Sequence, residues 1–241
     1  MKVKNQKGTK STSNKPIKKT KMYEIALYGQ SEEFTSSAAS VMMVLRYLNQ
    51  NYKISKDDEF IIWNETVYGS VWHGSRYGIA YALAKRGAKP TIISTNIKDL
   101  GYERKIAVYE GINLDALESA FNEIKEKIKQ YNVEERKGNV TINTIKKYMS
   151  DSYIPIVLVN SSTLNSSQST PSPQWVVIKG YDEDTFYIND SYSDSILAME
   201  PSTLADSLGY EGENYMVLVK AIKIKDNSQK ETKVKPKKVK A

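Results

Sequence analysis

Lysine is concentrated at the two ends of this 241-residue chain, which leaves only the middle able to build a core. Residues 1–22 contain eight Lys and no acidic residue, and residues 223–241 contain eight Lys against two acidic residues. Because the whole chain carries +7, the segment between them, residues 23–222, carries −7. The ends hold few apolar groups and cannot offset the entropy of ordering. We therefore expect an acidic folded domain between two Lys-rich extensions that are disordered when free.

Cysteine is absent, and histidine occurs once, at His73. The lack of cysteine excludes disulfides, cysteine-based zinc sites and a thiol nucleophile. A single imidazole leaves at most one histidine for acid–base catalysis or metal binding. His73 lies in a predicted Trp-His-Gly turn, where a structural or solvated role is the simpler interpretation. We therefore expect no metal site and no cofactor.

The spacing of apolar residues predicts mainly helices in the first part of the chain and strands in the second. Helices are predicted at 35–49, 57–68, 74–86, 113–131, 142–149 and 200–208. Strands are predicted at 23–28, 90–94, 154–159, 175–181, 185–188 and 215–220. Helices followed by antiparallel strands indicate an α+β fold, with N-terminal helices packed on a C-terminal antiparallel sheet.

One motif places Gln30 six residues before Ser36, where an apolar helix is predicted to begin. A nucleophile at a helix N-terminus gains from the positive end of the helix dipole. A side-chain amide just upstream can stabilise an oxyanion. The alternative is that Thr35, Ser36 or Ser37 only caps the helix.

A second motif is the predicted hairpin around the turn at residues 182–184. Gln174 lies at the start of its first strand and Asp190 at the end of its second. These positions meet at one end of an antiparallel pair, where a catalytic base and its orienting carboxylate can be held. The alternative is an ordinary hairpin in which Asp190 begins a turn with Ser191.

Both motifs resemble those of papain-like cysteine peptidases of the bacteriocin-processing, double-glycine type. Members of that family carry Gln, five residues and Cys-Gly-Pro-Ala at a helix start, and later a His before an apolar strand. The matching stretches here are GQSEEFTSSAASVMMVLRYL, WHGSRYGIAYALAKRGA and PQWVVIKGYDEDTFYINDSY. The resemblance covers about residues 25–220. It implies a papain-like fold, an oxyanion role for Gln30 and an orienting role for Asp190.

The two reactive positions of that family are changed in this chain. Ser36 stands where the family has its cysteine nucleophile, and Gln174 stands where it has its histidine base. A serine hydroxyl without a positioned base is a weak nucleophile at neutral pH. Loss of both members of such a unit costs on the order of a millionfold in rate. We therefore expect an inactive relative of the peptidases, in which Gln30, Ser36, Gln174 and Asp190 are vestigial.

The Lys-rich extensions are the strongest remaining functional feature. Lys side chains that neutralise phosphates release counterions and give sequence-independent affinity for nucleic acids. Neither extension contains an aromatic residue, so contact with the phosphate backbone is favoured over base stacking. The candidate nucleic-acid-binding residues are Lys2, Lys4, Lys7, Lys10, Lys15, Lys18, Lys19, Lys21, Lys233, Lys235, Lys237, Lys238 and Lys240. The alternative is that the extensions only aid solubility.

The sequence thus favours a catalytically inactive peptidase-like protein associated with nucleic acid. Structured, ribosomal RNA is the expected partner, together with proteins of the same assembly. No apolar run of 18 residues occurs and no apolar segment follows the basic N-terminus, so we expect a cytoplasmic protein without a membrane partner. Two alternatives stay open. One is a hydrolase that uses Ser36, with Gln30 as oxyanion donor; the other is a non-catalytic protein that holds an uncleaved peptide near Ser36, Gln174 and Asp190.

Overall fold

The computed structural model describes residues 18–97, 99–166 and 168–224. The predicted disorder of the extensions therefore concerns residues that lie almost wholly outside the described part of the chain. The same holds for every candidate nucleic-acid-binding lysine except Lys18, Lys19 and Lys21. Among the described residues, every helix is too short or too polar to span a lipid bilayer.

Most helices lie in the first part of the described chain and most strands in the second, and the predicted α+β class is confirmed. The helices are α1 (Ser36–Leu48), α2 (Lys56–Thr66), α3 (Arg76–Lys85), α4 (Tyr102–Glu110), α5 (Leu114–Lys129), α6 (Ile142–Ser150), α7 (Ser161–Leu164) and α8 (Pro201–Ser207). The strands are β1 (Lys21–Met22), β2 (Pro90–Ser94), β3 (Glu134–Lys137), β4 (Tyr153–Asn160), β5 (Pro173–Tyr181), β6 (Phe186–Asp190), β7 (Ser195–Met199) and β8 (Tyr215–Lys220).

The strands form one sheet in the order β3-β2-β8-β4-β5-β6-β7, with β1 beside β5. Neighbouring strands are antiparallel except β2 and β3, which run parallel. The prediction of a sheet built from C-terminal strands is therefore incomplete, because β2 and β3 also belong to the sheet and come from the helix-rich half of the chain. All five residues of β2 are buried, and its pairing with β8 explains why an apolar strand is needed there.

The strand predicted at residues 23–28 is wrong, although its alternation is real. Tyr23 and Ile25 are buried while Glu24 between them is exposed, as in a strand. The ladder to β5 is nevertheless limited to β1, which lies just before this segment. The carbonyl of Ile25 accepts a hydrogen bond from Asn189 Nδ2 at 3.1 Å. The N–H of Tyr23 still donates to the carbonyl of Lys179 in β5 at 2.8 Å, and beyond it a side chain takes the place of a neighbouring strand at Ile25.

The central helix of the domain is α1, in which every residue except Arg46 and Tyr47 is buried. A helix that is apolar around nearly its whole circumference belongs in the interior of a domain. Ser40 Oγ donates to the carbonyl of Trp175 at 3.0 Å and joins the first turns of α1 to the beginning of β5. This contact places the N-terminus of α1 at the end of the sheet where β5 starts.

Both ends of the described chain lie against the turn between α6 and β4. The N–H of Lys18 donates to Ser150 Oγ at 3.0 Å, and the N–H of Ala221 donates to the carbonyl of Ser152 at 2.9 Å. From this turn β4 runs for eight residues, about 25 Å, toward the end of the sheet where β5 begins. The Lys-rich extensions are therefore attached at one side of the domain, away from the N-terminus of α1.

A buried arginine holds the loop that follows β2. Arg76 is the first residue of α3, and its Nη2 donates to the carbonyls of Asn96 at 3.1 Å and Asp99 at 2.7 Å. Glu103 on α4 is also fully buried. Burial raises the pKa of the Glu103 carboxyl, and the positive charge of Arg76 opposes that rise. The charge of Arg76 therefore limits the rise in the pKa of Glu103 inside the domain.

We expect Arg76→Met to lower the free energy of unfolding more at pH 8 than at pH 4.5. Without the guanidinium, the pKa of Glu103 rises further above its unfolded value of about 4.3. A carboxyl whose pKa is raised by folding stabilises the native state below the unfolded pKa, and this contribution is lost as pH rises through the folded pKa. Urea unfolding should show a difference of about 2 kcal/mol between the two pH values. Arg104→Met, at a half-exposed guanidinium, is the control; equal losses at both pH values in Arg76→Met contradict the expectation.

Candidate active site

Ser36 begins α1 and lies buried at the start of β5. Its Oγ accepts a hydrogen bond from the N–H of Trp175 at 3.2 Å. Thr35 occupies the N-cap position, but no side chain caps α1. Thr35 Oγ1 instead donates to the carbonyl of Glu32, and Ser37 Oγ lies 2.8 Å from Thr66 Oγ1. The capping alternative is therefore wrong, because each of the three hydroxyl groups has a different partner.

The hairpin of β5 and β6 brings Gln174 and Asp190 together, as predicted. Gln174 Nε2 donates to Asp190 Oδ1 at 2.5 Å, and both side chains are buried. Asp190 also accepts from the N–H of Tyr192 at 3.1 Å and from Ser193 Oγ at 2.5 Å. Within the described ranges no cation pairs with this carboxylate, so hydrogen-bond donors stabilise its charge.

Gln174 forms a hydrogen bond to Asp190 but cannot act as a general base. A carboxamide does not take up or release a proton near neutral pH. Its Oε1 accepts from Gln168 Nε2 at 3.4 Å, and in the described part of the chain no hydrogen bond joins it to Ser36. The two positions are connected instead through the backbone N–H of Trp175, the residue after Gln174. The structure therefore brings Ser36 and Gln174 to one place without a proton-transfer path between them.

Gln30 lies at the same end of the sheet. Its Oε1 accepts from Ser191 Oγ at 2.8 Å, and its backbone N–H donates to the carbonyl of Ser191 at 2.9 Å. The amide Nε2 donates to the carbonyls of Glu32 at 2.7 Å and Glu33 at 3.0 Å. Both amide hydrogens are engaged by these carbonyls, so an oxyanion role would require Gln30 to release one of them.

Trp175 connects the site to the loop before α3. Its buried indole donates from Nε1 to the carbonyl of Gly74 at 2.6 Å, and Tyr102 Oη donates to the same carbonyl. Glycine is required here because a Cβ at Gly74 would lie 2.2 Å from Ser37 Oγ. The loop before α3 is thereby held against both α1 and β5.

His73, the only histidine of the chain, lies beside the site. Burial lowers the pKa of its imidazole, and a hydrogen bond with the backbone of Pro173 partly opposes this shift. The imidazole is therefore neutral at pH 7. No hydrogen bond connects it to Ser36 among the described residues. The sequence pattern indicates the turn that contains His73, but chain order does not reveal that this turn packs next to β5.

An open cleft of about 1080 Å³ runs along this end of the domain. The loop before α1, the loop before α3 and the polar loop after α7 form its walls. The acidic residues that line it are Glu32, Glu33 and Glu110, and none of its lining residues within the described chain is Lys or Arg. A second cavity of about 580 Å³ shares His73 and Glu110 with it and continues toward Tyr210. The described residues contain no group of three side chains suited to a metal ion.

An aromatic cluster of Phe34, Trp63 and Trp72 borders one end of the cleft. The ring of Phe34 lies 4.9 Å from that of Trp63 and 5.0 Å from that of Trp72, between centroids. Trp63 Nε1 donates to the carbonyl of Trp72 at 2.8 Å, and Trp72 is 57% exposed. Sequence reasoning misses this cluster because its members come from three separate segments.

We expect Gln174→Ala to lower the free energy of unfolding by about 1–3 kcal/mol, because it leaves the buried Asp190 carboxylate without one of its donors. Urea unfolding at pH 7 measures the loss. Gln130→Ala removes a carboxamide of the same kind from an exposed position directly after α5, and it should change stability by less than about 0.5 kcal/mol. Equal effects of the two substitutions would contradict a supporting role for the Gln174–Asp190 bond.

The family model described as Peptidase_C39 like matches residues 25–208 of this chain. No curated protein matches the chain. A crystal structure described as that of a C39-like peptidase from Bacillus anthracis has 13% sequence identity and a TM-score of 0.49, covering 84% of this chain and 98% of that one. The family match spans most of the 241 residues and confirms the resemblance predicted from the two motifs. The chain belongs to the Peptidase_C39 like family.

Proposed function

We propose that this protein is a catalytically inactive family member whose cleft holds a peptide segment without cleaving it. The observation that carries the proposal is a cleft of about 1080 Å³ beside a site that lacks thiol–imidazole chemistry. The sequence contains no cysteine, and Gln174 occupies the position of the base. His73 makes no hydrogen bond to Ser36 in the described part of the chain. The cleft could therefore still bind a peptide, although the groups that would cleave it are missing.

The walls of the cleft offer what an extended peptide requires. Exposed aromatic rings such as Trp72 and Tyr192 supply apolar contact area, and aromatic residues often dominate binding energy. The polar loop after α7 contributes Gln168, Thr170 and Ser172 on the opposite wall, where hydroxyl and amide groups can bond a peptide backbone. The polar loop after α7 therefore forms part of the candidate binding surface.

The test is peptide binding and peptide cleavage measured on the same preparation. We expect the full-length protein to bind a pool of fluorescent 12-residue peptides and to release no cleavage product. Trp72→Ala should weaken binding by roughly tenfold or more, as for an aromatic anchor. Tyr131→Ala, at a 41% exposed tyrosine outside the cleft, is the matched control. Unchanged binding in Trp72→Ala overturns the proposal. Cleavage that disappears in Ser36→Ala would instead support a serine hydrolase.

A second function, association with RNA, is favoured by where the two extensions are attached. Lys18 and Ala221 both bond to the turn between α6 and β4, so sixteen Lys of the two end segments are attached at one side of the domain. This arrangement suits a single polycationic contact with a phosphate backbone. Structured ribosomal RNA in the cytoplasm is the proposed partner.

Salt-dependent RNA binding tests this second function. The full-length protein is compared with a full-length variant in which Lys2, Lys4, Lys7, Lys10 and Lys15 are changed to Gln, using a structured ribosomal RNA fragment. If five phosphate contacts are lost, the slope of log affinity against log salt should fall by about 3.5–4.5. Equal affinity and slope for the two proteins would exclude a role for these lysines.

A further inference from the structure

We infer that the cleft is occupied by the protein's own C-terminal Lys-rich extension, residues 225–241, in the same molecule. The inference rests on the proposed function, because it names the peptide that the cleft holds. It makes the extension an internal competitor that any other peptide must displace. Charge, sequence pattern and reach each support it.

The charge of the cleft favours a cationic occupant. Its charged lining residues are Glu32, Glu33 and Glu110, and the imidazole of His73 is neutral at pH 7. Glu33 and Glu110 form no ion pair with any residue that the structure describes. Glu32 has one exposed partner, Lys56, at 3.6 Å. An occupant that brings lysines would therefore meet two carboxylates, Glu33 and Glu110, that form no ion pair in the described chain, and would compete with an ion pair only at Glu32.

The sequence of the C-terminal extension is suited to the glutamates and to the aromatic residues that line the cleft. Residues 233–237 read Lys-Val-Lys-Pro-Lys, so three lysines alternate with one valine and one proline. In an extended chain successive side chains point to opposite faces, and proline favours extended backbone in the residue before it. These three lysines can then face the glutamates while Val234 and Pro236 face the aromatic cluster. Residues 1–17 spread five lysines over a longer, mostly polar stretch and offer a weaker match.

The extension is long enough to reach the cleft. The N–H of Ile224 donates to the carbonyl of Leu48 at 3.0 Å, at the C-terminal end of α1. The cleft lies at the other end of this 13-residue helix, about 20 Å away. Nine extended residues from Ile224 to Lys233 span up to about 30 Å. A tethered segment of this kind acts at an effective concentration in the millimolar range, far above that of most free peptides.

Competition with an added peptide tests the inference. The probe is a fluorescent synthetic peptide with the sequence of residues 230–241, titrated into full-length proteins at one salt concentration. A tail variant carries Gln at Lys233, Lys235, Lys237, Lys238 and Lys240, and we expect it to bind the probe about tenfold more tightly than the unchanged protein. The matched control carries Gln at Lys2, Lys4, Lys7, Lys10 and Lys15, which changes the net charge equally; its affinity should stay unchanged. Adding Glu32→Gln, Glu33→Gln and Glu110→Gln to the tail variant should abolish binding.

The outcomes separate this inference from the proposed function. If the unchanged protein and the tail variant bind the probe equally, the cleft holds peptides but not its own extension, and the inference fails while the function stands. If the N-terminal control gains affinity instead, the wrong extension has been named. If no variant binds the probe but the mixed peptide pool binds, the chemistry of the occupant is wrong. If neither probe nor pool binds, both proposals fail.

Discussion

Trp175→Ala is expected to lower the free energy of unfolding by about 3–5 kcal/mol, the range for removing a large aromatic side chain from a core. Trp175 is fully buried at the start of β5. Its indole also donates to the carbonyl of Gly74 at 2.6 Å, so the substitution removes packing and a buried hydrogen bond together. The loop before α3 would lose its tie to β5. Urea unfolding followed by circular dichroism measures the loss.

Trp72→Ala is the matched control for this prediction. Trp72 is 57% exposed and donates no hydrogen bond from its indole within the described residues. We expect its substitution to change stability by less than about 1 kcal/mol, while it weakens peptide binding. A loss in Trp72→Ala as large as that in Trp175→Ala would show that the aromatic cluster supports the fold rather than forming a binding surface.

Restoring the two changed positions is expected to produce the largest change in reactivity. Because the protein has no cysteine, Ser36→Cys introduces its only thiol. Without an imidazole at position 174, the N-terminus of α1 alone favours the thiolate, so most of that thiol should be protonated at pH 6. Adding Gln174→His places an imidazole next to Asp190, which already accepts a hydrogen bond from position 174. We expect this second change to raise the rate of alkylation by iodoacetamide at pH 6 roughly tenfold or more, because a neighbouring imidazolium stabilises the thiolate.

The control for this pair replaces Gln174→His with Gln174→Asn, which keeps a carboxamide. Ser36→Cys combined with Gln174→Asn should be alkylated at the rate of Ser36→Cys alone, across pH 5 to 9. An equal rate in the histidine variant would mean that side chains at positions 36 and 174 do not face each other. That result would remove the basis for regarding Ser36 and Gln174 as vestigial.

Much of the fold follows from apolar spacing, and the misses have a physical cause. The helix α5 was predictable because Leu117, Phe121, Ile124 and Ile128 form one buried stripe. In contrast, β3 consists of four charged residues at one edge of the sheet and has no apolar alternation to detect. Charged side chains are common on edge strands, where they discourage further pairing. Strand β7 at the other edge is only half-buried, and it was missed as well.

Two other elements were missed because they bury little surface. Only Tyr102, Glu103 and Ala107 of α4 are buried, so its apolar periodicity is weak. The four-residue helix α7 lies in the polar connection between β4 and β5, and residues 165, 166 and 168–172 after it are irregular. Residues of α4 nevertheless line the cleft and its continuation, and the loop after α7 lines the cleft. Whether such a segment lines the cleft depends on how it packs against distant parts of the chain, and the residue pattern of the segment alone does not indicate this.

The site was predictable where two motifs lie on neighbouring strands or at a helix start. The pairing of Gln174 with Asp190 follows from the hairpin, and the resemblance placed Ser36 beside them. The engagement of Gln30 by nearby carbonyls was not predictable, because it depends on how the loop before α1 folds back. The position of His73 beside Pro173 also depends on packing between segments about one hundred residues apart.

The shared location of the chain ends has a consequence for how this domain can be rearranged. Residues bonded to the Ser150–Ser152 turn mark both ends of the described chain, so a short flexible linker could join them without crossing the cleft. New ends could then be opened at the exposed hairpin turn around Glu183. Such a circular permutant would keep every strand neighbour of the sheet and would free both Lys-rich segments for separate study.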